Sequence, residues 1–278
     1  RHSYLVSLLG IRHVVLAINK MDLVDWSQER FDEIVGTYSA FAEKIGVKAF
    51  TAIPMSALRG DNITEPSPNA PWYSGPPLMR WLEEAPVEDD LRGKPFRFPV
   101  QWVNRPNLDF RGFSGTVASG IVSVGDDVLV AASRKPAVIT RIVTMDGDLD
   151  QAIAGQAVTL VLDREVDVSR GDMLVHAGET PDFSNQFQAR VVWMNDESAF
   201  PGRSYLLKSG SQLAPATITD LKFRTNVNTL EQSAAKTLEL NEVGTLTIAT
   251  DRPIAFDSYT SNALTGAFIL IDRISHAT

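Results

Sequence analysis

The chain contains no cysteine. Disulfides, thiolate zinc sites, iron–sulfur clusters and cysteine nucleophiles are therefore excluded outright. Histidine is nearly as scarce. His2, His13, His176 and His276 are the four present, and none stands at the spacing that puts two imidazoles on one helix face, so no metal site is expected from them. No apolar run approaches the about 18 residues that would span a bilayer, so no membrane partner is expected. The opening residues Arg1, His2, Ser3 and Tyr4 lack the basic start, apolar stretch and small-residue cleavage site of a secretory signal, which makes the cytoplasm the expected location. A formal net charge of −8, spread along the chain, argues against a broad footprint for nucleic acid.

What is present suits a soluble protein with more than one core. The 278 residues are 44% apolar and 22% charged, which exceeds the usual size of one domain. Near residue 90 helical periodicity gives way to short alternating runs broken by glycine. Before that point, Tyr4 to Leu9 reads as the end of an amphipathic helix stopped by Gly10. His13 to Ile18 is a continuous apolar run of the kind buried on both faces of a parallel sheet. Between Ser27 and Ile45, Phe31, Ile34, Val35, Tyr38, Phe41, Ala42 and Ile45 recur at three- and four-residue spacing, with Asp25 or Ser27 to cap the start. Val47 to Ile53 follows as a second strand, giving a βαβ unit. A loop over 61–77 leads to a short helix, Leu78 to Glu84, with Leu78, Trp81 and Leu82 expected inward, and then a linker from Ala85 to Pro95.

Beyond the linker, strands are expected at 96–103, 115–121, 128–132, 137–143, 157–162 and 173–175, at the about 8- to 12-residue spacing of a small barrel. A second set follows at 188–194, 204–208, 216–223, 245–250 and 267–273. Gly115, Gly120 and Gly125 suit strand corners and tight turns. The expected architecture is thus a partial α/β domain over 1–88, followed by antiparallel β-barrels over 89–184 and 185–278.

The chemistry sits where the first strand ends. Asn19, Lys20, Met21 and Asp22 read Asn-Lys-x-Asp, and in open α/β sheets ligands collect at the carboxyl ends of strands. Guanine offers two adjacent donors, a ring N–H and an exocyclic amine, and one ionised carboxylate accepts both. Asp22 fits that task, and adenine, with an acceptor where guanine has the ring donor, would be rejected. Asn19 suits either the rest of the base edge or a tie between loops, and the stem of Lys20 can lie on the flat ring. Ser56, Ala57 and Leu58 follow the next strand, where a backbone N–H at Ala57 could meet the guanine carbonyl oxygen. Taken alone, Asn-Lys-x-Asp also fits an ordinary turn after a strand. The Ser-Ala-Leu at the neighbouring strand end weighs for the nucleotide reading.

These two signatures resemble the GTPase superfamily, and the loop Arg59-Gly60-Asp61-Asn62 through Asn69-Ala70-Pro71-Trp72 resembles its translation-factor branch. Arg111-Gly112-Phe113-Ser114-Gly115-Thr116-Val117-Ala118-Ser119-Gly120 is similar to the second-domain signature of elongation factors, and Arg170-Gly171-Asp172-Met173-Leu174 to a later strand of that barrel. Gln101-Trp102-Val103-Asn104-Arg105-Pro106 and Gly266-Ala267-Phe268-Ile269-Leu270-Ile271-Asp272-Arg273 look most like the GTPase subunits of bacterial sulfate adenylyltransferases. The resemblance implies GTP as cofactor, with magnesium in the intact protein. It also implies a smaller catalytic subunit as partner, which makes adenosine 5'-phosphosulfate from ATP and sulfate, and in some relatives a fused adenylylsulfate kinase. The alternative within the same fold is an elongation factor delivering aminoacyl-tRNA.

No Gly-x-x-x-x-Gly-Lys-Ser/Thr occurs: Gly93-Lys94 is preceded by Glu88 at the first glycine position and followed by Pro95. That loop supplies the backbone N–H groups, the lysine and the metal-binding hydroxyl. Asp109-Phe110-Arg111-Gly112 lies inside the first barrel and reads as a turn. Arg105, Arg111 and Arg203 are given no role, since exposed arginines are usually solvated. The expectation is a piece of a longer GTPase. A purified chain of this sequence should therefore release no phosphate from GTP above background, and sustained turnover would overturn this reading.

Overall fold

Ser27 opens the helix that the apolar spacing predicts: its Oγ accepts the Arg30 N–H at 3.2 Å, and helix α2, Gln28–Lys44, runs from there to a left-handed Gly46 at φ 78°. The short helix before it is α1, His2–Leu8, ended by Gly10 at φ 71°. It is tied to α2 by a bond from Tyr38 Oη to Ser3 Oγ (3.1 Å) and by Ser7 Oγ donating to the Ile45 carbonyl (2.6 Å). The structure, a computed structural model, describes residues 2–11, 13–47, 49–85, 91–107 and 109–278. Two compact units divide the chain, Arg1–Asp89 and Asp90–Thr278. Residues 86–90 of the expected linker, with the expected boundary between 88 and 89, lie outside the described residues.

In the first unit, β1 (Val15–Ile18) pairs in parallel with β2 (Thr51–Pro54), in the register Val15 with Thr51 and Ile18 with Pro54. With α2 between them, this is the expected βαβ unit. Burial on both faces is not what β1 shows, for Ala17 is exposed. Among the described residues β1 pairs on one side only, with β2, so its cover is partial. Helix α3 is Leu78–Glu84. Trp81 faces inward, its Nε1 donating to Thr51 Oγ1 at 2.9 Å, but Leu82 is 54% exposed, against expectation. The helix is held by this indole and by the Leu78 and Met79 N–H groups on the carbonyls of Asn62 and Ile63, and the position after Trp81 points to solvent.

In the second unit, β3 (Arg97–Asn104), β4 (Gly112–Thr116), β5 (Ile121–Ser123), β6 (Asp127–Val130), β7 (Pro136–Thr144), β8 (Gly147–Leu149), β9 (Gln151–Ile153), β10 (Ala157–Leu162) and β11 (Met173–His176) are all antiparallel to their partners. The order β10-β4-β3-β11-β6-β7 closes when β10 also pairs with β7, making a six-stranded barrel, with β8 folded back on β7 and β5–β9 as a separate ribbon. Phe96, Phe98, Phe113, Ile139, Ile142, Leu160 and Leu174 fill it; burial of each such side chain stabilises by about 1.5–3 kcal/mol. The expected strand over 115–121 is broken after Thr116. Gly120, at φ 76°, turns the chain so tightly against Phe96 that a Cβ there would lie 2.5 Å from the Phe96 Cα. Before β4, Asn107 Oδ1 accepts the N–H groups of Asp109 and Phe110, so that segment is a turn.

The remaining strands are β12 (Asp182–Val192), β13 (Ser204–Ser209), β14 (Gln212–Thr225), β15 (Gln232–Ser233), β16 (Val243–Phe256) and β17 (Ile269–Asp272), with a turn of helix, α4 (Ala263–Gly266), before β17. The main order is β12-β16-β14-β13-β17, wrapped round its own core of Tyr205, Leu207, Ile218, Leu246 and Ile248. Phe187 on β12 and Phe268 beside β17 bring their rings to 6.1 Å, so side chains link the two outer strands. Strands β14 and β16 run longer than expected, through Pro215 and Pro253: Pro215 pairs in regular register with Leu206 just before β14 begins to pair with β16 at Ala216, and a bulge falls opposite Pro253, between Ser184 and Gln186.

The two sheets share a buried ion pair. Arg97, 3% exposed, sends Nε and Nη2 to the two carboxylate oxygens of Asp257, each at 2.9 Å, while Nη1 donates to the carbonyls of Glu179 and Phe96. Asn262 Nδ2 adds a bond to Ser119 Oγ at 2.8 Å. At the far end, Asp272 accepts the N–H groups of Ser275 and Ile274 at 2.9 Å, the Arg203 guanidinium at 2.7 Å and the Ser275 hydroxyl at 3.1 Å. These donors, the backbone N–H groups foremost, hold its carboxyl well below the usual aspartate range. A depressed carboxyl contributes stability that is complete above its unfolded pKa, about 4, and is lost as pH falls below that value. Asp272→Asn should therefore destabilise the chain at pH 7, and the gap from wild type should narrow as pH falls below about 4. Urea unfolding midpoints at both pH values measure this.

Candidate guanine site

Parallel pairing fixes where the predicted residues meet. With Ile18 opposite Pro54, the chain leaves both strands at the same end, and the segments after them run side by side: Met55 N donates to Ile18 O (2.9 Å) and Met21 N to Met55 O (3.2 Å). Asn19 joins them directly. Its Oδ1 accepts the Lys20 N–H at 2.8 Å and the Ala57 N–H at 3.0 Å. Both partners are donors, so the oxygen faces inward and the Nδ2 of Asn19 stays on the donor side of the group. Of the two roles open to Asn19, the tie between loops is the one seen here.

Asp22 lies in a single 3-10 turn, Met21–Val24. Its side chain is 8% exposed, and the guanidinium Nε of Arg59 stands 3.4 Å from its Oδ2. Lys20 is exposed and left-handed, at φ 66° and ψ 31°. Asp25 and Trp26 follow it into that region at φ 48° and 55°. Three non-glycine residues in a region disfavoured for side chains need support from outside. Trp72 gives part of it by donating Nε1 to the Trp26 carbonyl at 3.0 Å.

Ser56 is buried and shapes its own turn: its carbonyl accepts the Gly60 N–H at 2.8 Å and its Oγ the Arg59 N–H at 3.4 Å. Leu58 stands in solvent, 91% exposed. Asn19, Lys20, Asp22, Ser56 and Ala57 therefore share one corner, and the Leu58 side chain stands out from it.

Sequence reasoning assigned no role to Asn62, Asp61 or Arg59. Asn62, 2% exposed and at φ 55°, donates Nδ2 to the Pro54 carbonyl and accepts the Ser67 N–H, both at 2.7 Å. Asp61 accepts the Ser67 hydroxyl at 2.6 Å and Asn69 Nδ2 at 3.1 Å. The polar make-up of 61–69 signals a loop, but only tertiary contact shows that Asn62 pins this loop to the end of β2. Among the described residues no group of three or more His, Asp or Glu side chains is arranged to hold a metal. Asn62→Ala would orphan a buried carbonyl and a buried N–H, at about 1–3 kcal/mol each. The first unit should melt earlier while the second unit's transition is unchanged, as read by amide exchange.

Two family models match the second unit: Elongation factor Tu domain 2 over residues 113–175, and GTP-eEF1A C-terminal domain-like over residues 186–278. The bifunctional enzyme NodQ of Rhizobium sp. (strain N33) is 55% identical over 278 residues, covering 100% of this chain and 43% of that protein. The bifunctional enzyme CysN/CysC of Rhodopirellula baltica is 49% identical over 280 residues, with 100% and 43% covered. Sulfate adenylyltransferase subunit 1 of Saccharophagus degradans is 48% identical over 278 residues, with 100% and 59% covered. The chain spans about half the length of these curated relatives. Among solved structures, Sup35 complexed with GMPPNP superposes with a TM-score of 0.60 at 22% identity, over 98% of this chain and 69% of that one. Sup35 complexed with GDP gives 0.63 at 22%, over 99% and 70%. These two likenesses speak to the fold. The chain is a homologue, over its whole length, of the NodQ, CysN/CysC and sulfate adenylyltransferase subunit 1 proteins, and its second unit carries domains of the elongation-factor type.

Proposed function

We propose that this chain is the base-reading and barrel portion of a GTP-binding subunit of sulfate adenylyltransferase. In the whole protein, GTP hydrolysis is coupled to formation of adenosine 5'-phosphosulfate from ATP and sulfate by a smaller catalytic subunit. The name of the Saccharophagus relative supports the enzyme class, and the bifunctional names of the NodQ and CysN/CysC relatives support a fused second activity, an adenylylsulfate kinase. The proposed division is 1–88 for part of the GTPase domain, 89–184 for the second domain and 185–278 for the third. The cytoplasm is the proposed location. Among the described residues no helix is long and apolar enough to cross a membrane.

One observation carries the nucleotide reading: a nearly buried carboxylate, Asp22, stands at the corner where Asn19 ties the ends of two parallel strands together. Asp22 would take the ring N–H and amine of guanine. Asn19 Nδ2, left on the donor side, would give to a ring acceptor such as N7. The Ala57 N–H already serves Asn19 Oδ1, so a guanine carbonyl reaching it would share the donor in a three-centre bond. Lys20 would lay its stem on the ring. The slot provides base selection. When bound, magnesium would supply charge neutralisation at the phosphates, and this chain offers no donor set for it among the described residues.

Titrating the 15N-labelled chain with nucleosides tests the base reading. Guanosine should shift the amides of residues 19–22 and 56–60 with weak but saturable affinity, and adenosine should not. Asp22→Asn should weaken guanosine by about tenfold or more, equivalent to ~1.4 kcal/mol, and should favour xanthosine, which carries an oxygen in place of the amine. Equal response to guanosine and adenosine would remove the site. For the whole protein, copurification of a sulfate adenylyltransferase subunit is expected; copurification of charged tRNA would favour the elongation-factor reading.

A further inference from the structure

We propose that Arg59 is a positioning residue for base recognition, holding the Asp22 carboxylate in the orientation that accepts both guanine donors; this rests on the guanine reading above. The Asp22 side chain is 8% exposed, and Arg59, 67% exposed, reaches it from the neighbouring loop with Nε 3.4 Å from Oδ2. An ionised carboxylate withdrawn from water needs a cation or donors facing it. Arg59 supplies the cation without filling the site. A carboxylate has about four acceptor positions, a guanine edge uses one on each oxygen, and a guanidinium on the outer side of Oδ2 leaves both free.

Arg59 is also mounted firmly at its base. Its N–H donates to Ser56 Oγ at 3.4 Å, in a turn closed by Gly60 N–H on the Ser56 carbonyl at 2.8 Å, with Gly60 at φ 83°. The same turn carries Ala57. Besides the Met21-to-Met55 backbone bond, two side-chain links therefore cross between the loops, Asn19 to Ala57 and Asp22 to Arg59. The first fixes the spacing of the loops. The second fixes rotation of the carboxylate about its Cβ–Cγ bond, which decides whether it meets guanine with two oxygens or one. With the guanidinium 67% exposed, the pair adds little net stability; its effect falls on orientation.

Nucleoside titrations of the 278-residue chain, wild type, Arg59→Ala and Arg59→Lys, separate this role from a structural one. Guanosine offers two donors to Asp22 and inosine only the ring N–H. Arg59→Ala should weaken guanosine by about fivefold and inosine by less, so the guanosine-to-inosine ratio falls, and Arg59→Lys should recover part of the loss. The nucleosides carry no charge. Raising salt from about 0.05 to 0.5 M should therefore weaken guanosine for wild type and leave Arg59→Ala unmoved. If wild type prefers guanosine over adenosine while Arg59→Ala binds it as tightly or more tightly, the positioning role is overturned and the guanine reading stands. If wild type shows no preference for guanosine, both fall together.

Discussion

A single side-chain oxygen organises the candidate site. Oδ1 of Asn19 receives backbone N–H groups from Lys20 and from Ala57, residues on two different loops. One bond is local and holds the left-handed turn that starts at Lys20; the other is long-range and sets the distance between the loops. Parallel pairing of the two strands makes this possible by delivering both chain ends to one rim, and the Met21-to-Met55 bond continues the pairing past the strands. An alanine at 19 would leave two amides without their acceptor and remove a group that speaks to both loops through its oxygen while keeping a donor, Nδ2, for a ligand. An aspartate would keep the oxygen and lose the donor. Asparagine is the residue type that serves both ends of the arrangement.

In the barrel unit the corresponding role falls to Arg97. Its planar fork meets both oxygens of Asp257 and still has an N–H for the Glu179 carbonyl, so the charge is neutralised and its donors are spent on fixed acceptors. Breaking such a buried pair from one side costs about 3–5 kcal/mol, because it leaves an uncompensated charge, even where the pair adds little over an apolar replacement. The consequence is directional. Asp257 follows the last residue of a strand of the second sheet and Arg97 begins a strand of the first, and the Asn262-to-Ser119 bond lies beside them. Residues 90–278 form one compact unit in which two apolar cores are joined by this polar tie and by a small apolar cluster of Ala131, Met173, Val175 and Ala255.

What the sequence makes legible follows from what periodicity records. The helix over Gln28–Lys44 declares itself because its buried face repeats every three or four residues and Ser27 caps it locally. The strand before Asn19 is a plain apolar run, and the Asn-Lys-x-Asp and Ser-Ala-Leu segments stand directly after strands. Other features depend on contacts far along the chain. Arg97 and Asp257 are 160 residues apart, and nothing near either one says that its charge is buried. Gly120 is held to a tight turn by Phe96, a residue 24 positions earlier in the chain. Leu82 looks inward by helical spacing, yet the helix docks through the Trp81 indole and the N–H groups of Leu78 and Met79, and Leu82 turns out. Arg59 reads as one more exposed arginine until the fold brings it to Asp22.

Base selection and nucleotide affinity are separable in physical terms, and this chain illustrates why. Selectivity is a difference of free energies between two bases, so it needs only the edge on which they differ. Affinity for a nucleoside triphosphate comes largely from charge: backbone N–H groups, a lysine and a metal on the phosphates, the parts supplied by a glycine-rich loop that this sequence does not contain. On the proposed reading, a site formed by Asn19, Asp22 and Ala57 would therefore prefer guanine while holding it weakly. Its discrimination should resemble that of a complete site, since a donor facing a carboxylate and a lone pair facing a carboxylate differ by the same contact whatever lies beyond the ribose. Rigidity decides whether that contact is realised. The parallel strands, the Asn62 pin and the side-chain links across the loops are all internal to residues 1–89, so the proposed reading edge would be held by the chain itself and would not wait for phosphate to assemble it.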